Sequence, residues 1–115
     1  MGEKKYDLEE RTAIFARRGG AFVNGLPRTL TNLEYGRQLV RAAASIGANY
    51  IEANEALGRK DFFMHLRISK KEAKESLYWL NLVECDRSDS GEKDRLIREA
   101  TELMNIFGAI IRNST

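Results

Sequence analysis

Residues 41–53 read Arg41-Ala42-Ala43-Ala44-Ser45-Ile46-Gly47-Ala48-Asn49-Tyr50-Ile51-Glu52-Ala53. Small and apolar residues dominate, nothing alternates with period two, and the stretch reads as a helix. One polar line follows it: Arg41, Ser45, Asn49 and Glu52, at spacings of four, four and three. Side chains so spaced leave a helix in the same direction. Three roles are open to that line. It can be a solvent face opposite Leu39, Ile46 and Tyr50. It can be a subunit interface, where polar groups fix register and the flanking Ala44 and Ala48 allow close approach. It can be a ligand- or RNA-binding face.

Working outward, this helix is expected over about residues 32–57. Thr31 and Glu34 resemble a capping box at its start, and Gly58 is a suitable stop at its end. Its apolar arc holds Tyr35, Leu39, Ala42, Ala43, Ile46, Tyr50, Ala53 and Leu57. Beside the arc, Gly36, Val40, Ala43 and Gly47 form a small-residue seam that admits a close neighbour. A preceding helix is expected over about residues 7–23, capped by Asp7 and Glu10, with Leu8, Phe15 and Phe22 on its stripe. Pro27, the only proline, marks the loop between the two.

A third helix is expected over about residues 60–84, with Phe62, Leu66, Ala73, Leu77 and Leu80 on its main stripe. Ile68, Glu72, Trp79 and Val83 form a second stripe. Two stripes imply two burial partners, the core and a second subunit. A polar turn at residues 87–92 leads to a fourth helix over about residues 90–112, where Leu96, Ala100, Leu103, Phe107 and Ile110 repeat at helical spacing. Residues 113–115 are expected to fray. Four amphipathic helices and short loops specify an all-α chain, an antiparallel up-down four-helix bundle forming one domain over residues 1–115.

Composition excludes more than it assigns. The 115 residues suffice for one core, and the net charge is only +2. One cysteine, Cys85, cannot form an intramolecular disulfide and suits a reducing cytoplasm. The opening residues carry no apolar signal region, Gly2 is followed by Tyr6 where myristoylation would want Ser or Thr, and no apolar run is long enough to span a bilayer. No Ser-His-Asp pattern, phosphate loop or cysteine pair is present. His65 is the only histidine, so a metal site lacks its companions. We therefore expect no enzymatic activity, no cofactor, no metal and no small-molecule substrate.

Two charged features stand out. Glu72 and Glu75 flank the second stripe of helix three close to Trp79, and a carboxylate beside a buried Trp calls for a cation. Arg41 suits that pairing, within or between chains. Arg67, Lys70, Lys71 and Lys74 share one arc of the same helix, with Arg59 and Lys60 just before it. Such a strip is either a solvated face or a phosphate-contacting surface. Tyr78 extends it and is placed to stack on a base. Repeated round an oligomer, the strip would gain by avidity.

Two long motifs carry a resemblance. The first is Leu26-Pro27-Arg28-Thr29 with Gln38-Leu39-Val40-Arg41-Ala42-Ala43-Ala44-Ser45-Ile46-Gly47-Ala48-Asn49-Tyr50-Ile51-Glu52-Ala53-Asn54-Glu55. The second is Lys60-Asp61-Phe62, then Ser69-Lys70-Lys71-Glu72-Ala73-Lys74-Glu75-Ser76, then Tyr78-Trp79-Leu80. Together they resemble the bacterial four-helix bundle proteins, also called 23S rRNA intervening-sequence proteins. The resemblance implies an antiparallel bundle assembled as a homopentameric ring, with no established enzymatic activity. Some members are encoded inside intervening sequences of large-subunit rRNA genes, which implies an association with rRNA or other structured nucleic acid. A related fold is the accessory subunit of diversity-generating retroelements, where it is thought to contact nucleic acid and a reverse transcriptase. Ala42-Ala43-Ala44, where relatives often carry Ser and Gly, and His65 depart from the pattern. With the resemblance, the Arg41-Ser45-Asn49-Glu52 line reads as a packing and assembly feature together with Glu72, Glu75 and Trp79. Any nucleic-acid contact falls to the strip on helix three. The alternative is a scaffold that docks a partner protein without touching nucleic acid.

Overall fold

The computed structural model describes residues 7–114; the expectations for residues 1–6 and for Thr115 lie outside them. Four α-helices form: α1 (Leu8–Asn24), α2 (Leu30–Asn54), α3 (Arg59–Leu82) and α4 (Ser90–Asn113), the last entered through a short 3-10 turn, Arg87–Asp89. No strand occurs among the described residues. All four helices contribute to one buried cluster. Phe15 and Phe22 come from α1, Leu39 and Ile46 from α2, Phe63, Leu66 and Leu80 from α3, and Leu96, Leu103 and Phe107 from α4. The arrangement is consistent with a four-helix bundle.

Helix ends depart from the sequence reading in ways that packing explains. Asp7 caps α1 as expected, its carboxylate accepting from the Glu10 N–H at 2.8 Å. The cap of α2 is Thr29 and not Thr31: the Thr29 hydroxyl accepts from the Asn32 N–H at 3.1 Å. The earlier start buries Asn32. Its Nδ2 donates to the carbonyls of Pro27 and Glu84, and its Oδ1 accepts from the Glu84 N–H at 3.0 Å. One side chain thus ties the α1–α2 loop to the α3–α4 loop.

At the other end α2 stops at Asn54, short of Leu57, and Gly58 is the extended residue that opens α3 rather than the stop of α2. Leu57 is fully exposed, so prolonging α2 would gain no burial. Likewise α3 ends at Leu82, before Glu84, because Val83 turns to extended backbone and enters the core.

The buried face of α3 is also rotated from the expected stripe. Phe62 and Leu77 are only half-buried, whereas Phe63, Ser69 and Ser76 are buried. Serine succeeds inside because it is small and its hydroxyl finds a carbonyl. Ser69 donates to Ile46 O across the α2–α3 contact and Ser76 to Glu72 O, both at 2.9 Å.

The small-residue seam of α2 faces α1. A Cβ on Gly47 would lie 2.7 Å from Thr12 Oγ1, and one on Gly36 would lie 2.9 Å from Val23 Cγ1, so both positions need hydrogen there. Val40 lies outside that contact and is 43% exposed. The α1–α4 side is looser. An open groove of about 880 Å³ runs there over Leu8, Ile14, Phe15, Leu96 and Ile106. Ion pairs bridge it: Arg11 to Glu99 and Glu102, and Arg18 to Glu92, each at 2.6 Å. The hydrogen bond from Arg18 holds the Glu92 carboxyl below the usual carboxylate range.

Candidate nucleic-acid interface

Four of the cations singled out on helix three, Lys60, Arg67, Lys71 and Lys74, share its outward side by helical period, whereas Arg59 and Lys70 fall roughly 70–90° round, toward α4. At about 100° per residue, Lys60, Arg67, Lys71, Lys74 and Tyr78 fall within roughly 60° of one another. All five are exposed, Tyr78 at 60%. The three carboxylates of α3 lie roughly 70–130° round from the centre of that face, on the side toward α2. Two of them are engaged by Arg41, and Asp61 faces His65 Nε2 at 3.6 Å. Charge is therefore segregated round the helix, with cations outward and carboxylates toward α2.

Neighbouring groups position several of these cations. The guanidiniums of Arg59 and Arg67 lie over the Phe63 ring, 5.2 and 5.7 Å from its centroid. Arg59 also donates to the Ser114 carbonyl near the end of α4. Lys70 leans toward α4, where Gly108 has no side chain: its Cε is 3.6 Å from the point a Cβ there would occupy. Tyr78 rests edge-on against Trp79 with centroids 4.9 Å apart, and Trp79 in turn stacks on Tyr35 at 6.0 Å. The strip spans roughly 27 Å from Lys60 to Tyr78 at 1.5 Å per residue. An array of this kind can neutralise phosphates along an extended backbone.

The polar line of α2 lies at the border with α3 of the same chain. Arg41 Nη2 is 3.2 Å from Glu75 Oε1, and Arg41 Nη1 is 3.7 Å from Glu72 Oε2. Asn49 Nδ2 donates to Ser45 O at 3.0 Å. That leaves Asn49 Oδ1 facing His65 Nδ1, also at 3.0 Å. Glu52 is exposed, away from these contacts. Glu72 Oε1 and Trp79 Nε1 are buried with no protein partner.

Removing the Arg41 guanidinium strands a carboxylate that is only 8% exposed. Arg41 itself is half exposed, so water offsets part of the loss. We expect Arg41→Ala to cost about 1 kcal/mol in denaturant unfolding, and Glu72→Gln to recover part of it in that background. Equal stability of Arg41→Ala and wild type would show the pair to be idle.

Sequence reasoning missed the Asn32 clasp and a second apolar side of α2. Leu33, Val40 and Ile51 are each 43–46% exposed on the outward side of that helix. Their spacings of seven and eleven are helical, and that was the available signal. Among the described residues no group of three His, Cys, Asp or Glu side chains is placed to hold a metal, and no helix is long and apolar enough to cross a membrane.

Comparison with known proteins places the chain beside one family model and several solved structures. The family model described as "23S rRNA-intervening sequence protein" matches residues 7–109. A solved structure from Bacteroides thetaiotaomicron VPI-5482, a protein of unknown function from the S23 ribosomal protein family, is similar at a TM-score of 0.79 and 30% identity. The match covers 90% of this chain and 97% of that one. No curated protein matches the sequence.

Proposed function

The chain belongs to the 23S rRNA-intervening sequence protein family, and from that premise we propose that it is a non-enzymatic, homo-oligomeric, cytoplasmic protein that binds structured RNA through α3. One observation carries the reading: the outward face of α3 gathers Lys60, Arg67, Lys71 and Lys74, with Lys70 at its α4 edge, while the carboxylates of that helix lie on the side toward α2. A merely solvated helix would mix both signs round its exposed surface. The family description, which names an rRNA intervening sequence, makes RNA the favoured polyanion.

The fold proposed is the antiparallel up-down bundle. The pairings of Arg41 with Glu75, Ile46 with Ser69 and Asn49 with His65 support it, since residue numbers fall on one helix as they rise on the other. The assembly proposed is a homopentameric ring. The outward apolar residues of α2, Leu33, Val40 and Ile51, favour self-association, because a monomer would leave them in water. A partner-protein scaffold is the competing reading, favoured by the apolar-floored groove between α1 and α4.

Gel shifts with 23S rRNA fragments in a salt series, beside a native mass measurement, test this. The variant is Arg67→Gln/Lys70→Gln/Lys71→Gln/Lys74→Gln, all at exposed positions. Wild type is expected to bind in a salt-sensitive way and the variant tenfold or more weakly. Binding indifferent to these four changes, or a monomer at micromolar concentration, would contradict the proposal.

A further inference from the structure

We infer that the α3 face takes double-stranded RNA by its phosphate backbone and does not read base sequence. This deepens the RNA-binding reading above and rests on it. The groups on the face decide the matter. Lys60, Arg67, Lys70, Lys71 and Lys74 are point or forked cations suited to phosphate oxygens. Lysine and arginine can also read guanine edges, but only from within a groove or against splayed bases, and an A-form duplex closes its major groove to side chains. The arc that holds Lys60, Arg67, Lys71, Lys74 and Tyr78 carries no amide and no carboxylate; Asp61 and Glu75, partly exposed, border it on the side toward α2. Asn81, one turn further on, spends its Nδ2 donating to the Leu77 carbonyl at 2.9 Å.

Single strands are held differently. Their binders line a groove with several aromatics on which successive bases stack. Here the cations stand on a convex helix, and Tyr78 is the one exposed aromatic ring beside them. Phe63 is 6% exposed and lies beneath Arg59 and Arg67, and Trp79 is occupied by Tyr35 and Tyr78. A straight row of about 27 Å also matches a regular backbone better than a collapsed loop. The deep major groove of an A-form helix excludes side chains, so contact falls on phosphates and sugars at the surface of the duplex.

The test uses the full-length protein and four RNA probes: two 24-base-pair duplexes of unrelated sequence and one unstructured single strand from each. Fluorescence anisotropy is read between 50 and 250 mM salt. The two duplexes are expected to bind within about threefold of each other, and single strands at least tenfold more weakly. The logarithmic salt slope per face is expected at about −4.5, roughly 0.9 for each phosphate neutralised by the five cations. Tyr78→Ala is expected to change duplex affinity less than threefold. Single strands binding as tightly as duplexes, or one duplex preferred tenfold, overturns the inference while leaving RNA binding intact. Failure to bind any probe overturns both.

Discussion

Phe107→Ala is expected to lower the unfolding free energy by about 3–5 kcal/mol, the usual cost of deleting a fully buried aromatic ring. Phe107 is 0% exposed, reaches the core from α4, and lies 5.8 Å from the Tyr50 ring of α2. Its removal takes apolar area out of the core and leaves a void that helices can close only by shifting. A domain with roughly 5–15 kcal/mol to spare would lose a large part of it. Leu57→Ala is the matching control, since Leu57 is fully exposed and should cost almost nothing. Urea unfolding followed by helical circular dichroism, at one fixed protein concentration, measures both. A loss below about 1 kcal/mol for Phe107→Ala would mean that the core does not close round that ring.

Asn32→Ala is expected to cost about 2–4 kcal/mol, although it removes only a small polar side chain. Three hydrogen bonds disappear, to Pro27 O, Glu84 O and the Glu84 N–H. Asn32 is 4% exposed, so its backbone partners lose a bond where water enters poorly. Asn32→Asp sharpens the case. It keeps the acceptor for Glu84 N–H but sets a carboxylate against two carbonyl oxygens, and should be at least as harmful. If both variants unfold like wild type, the two loops are held by something other than this clasp.

These two positions divide what the chain displays openly from what it conceals. Phe107 was visible at once, because Leu96, Ala100, Leu103 and Phe107 repeat at helical spacing and that repeat is a property of neighbouring residues. Asn32 was not. In isolation it is one more polar residue near a helix start, and Thr31 with Glu34 offered an equally good local cap. The choice of Thr29 follows from the bonds Asn32 makes to Glu84, fifty-two residues away. The α3 stripe shows the same limit in milder form. Phe62 and Leu77 matched the apolar period, yet Ser69 and Ser76 took the inner positions because a carbonyl stood ready for each hydroxyl.

The candidate RNA face was legible because it belongs to a single helix. Lys60, Arg67, Lys71 and Lys74 share one side by the 3.6-residue period, whatever packs behind them. The placement of Glu72 and Glu75 to one side follows from the same period, and the sequence already named Arg41 as their cation; that both carboxylates meet it within one chain was settled by the packing of α2 on α3.

The sequence by itself determined the number of helices, their approximate extents and the side of each that is apolar or cationic. Such features follow from contacts three or four residues apart. The pairing of Arg41 with Glu72 or Glu75 was already offered by the sequence; it took the packed helices to show that the pair closes within one chain, that Asn49 meets His65 and that Glu52 stays out of these contacts. A helical period gives the direction of a side chain about its own axis. It does not say which helix stands in that direction, and these polar partnerships depend on that neighbour.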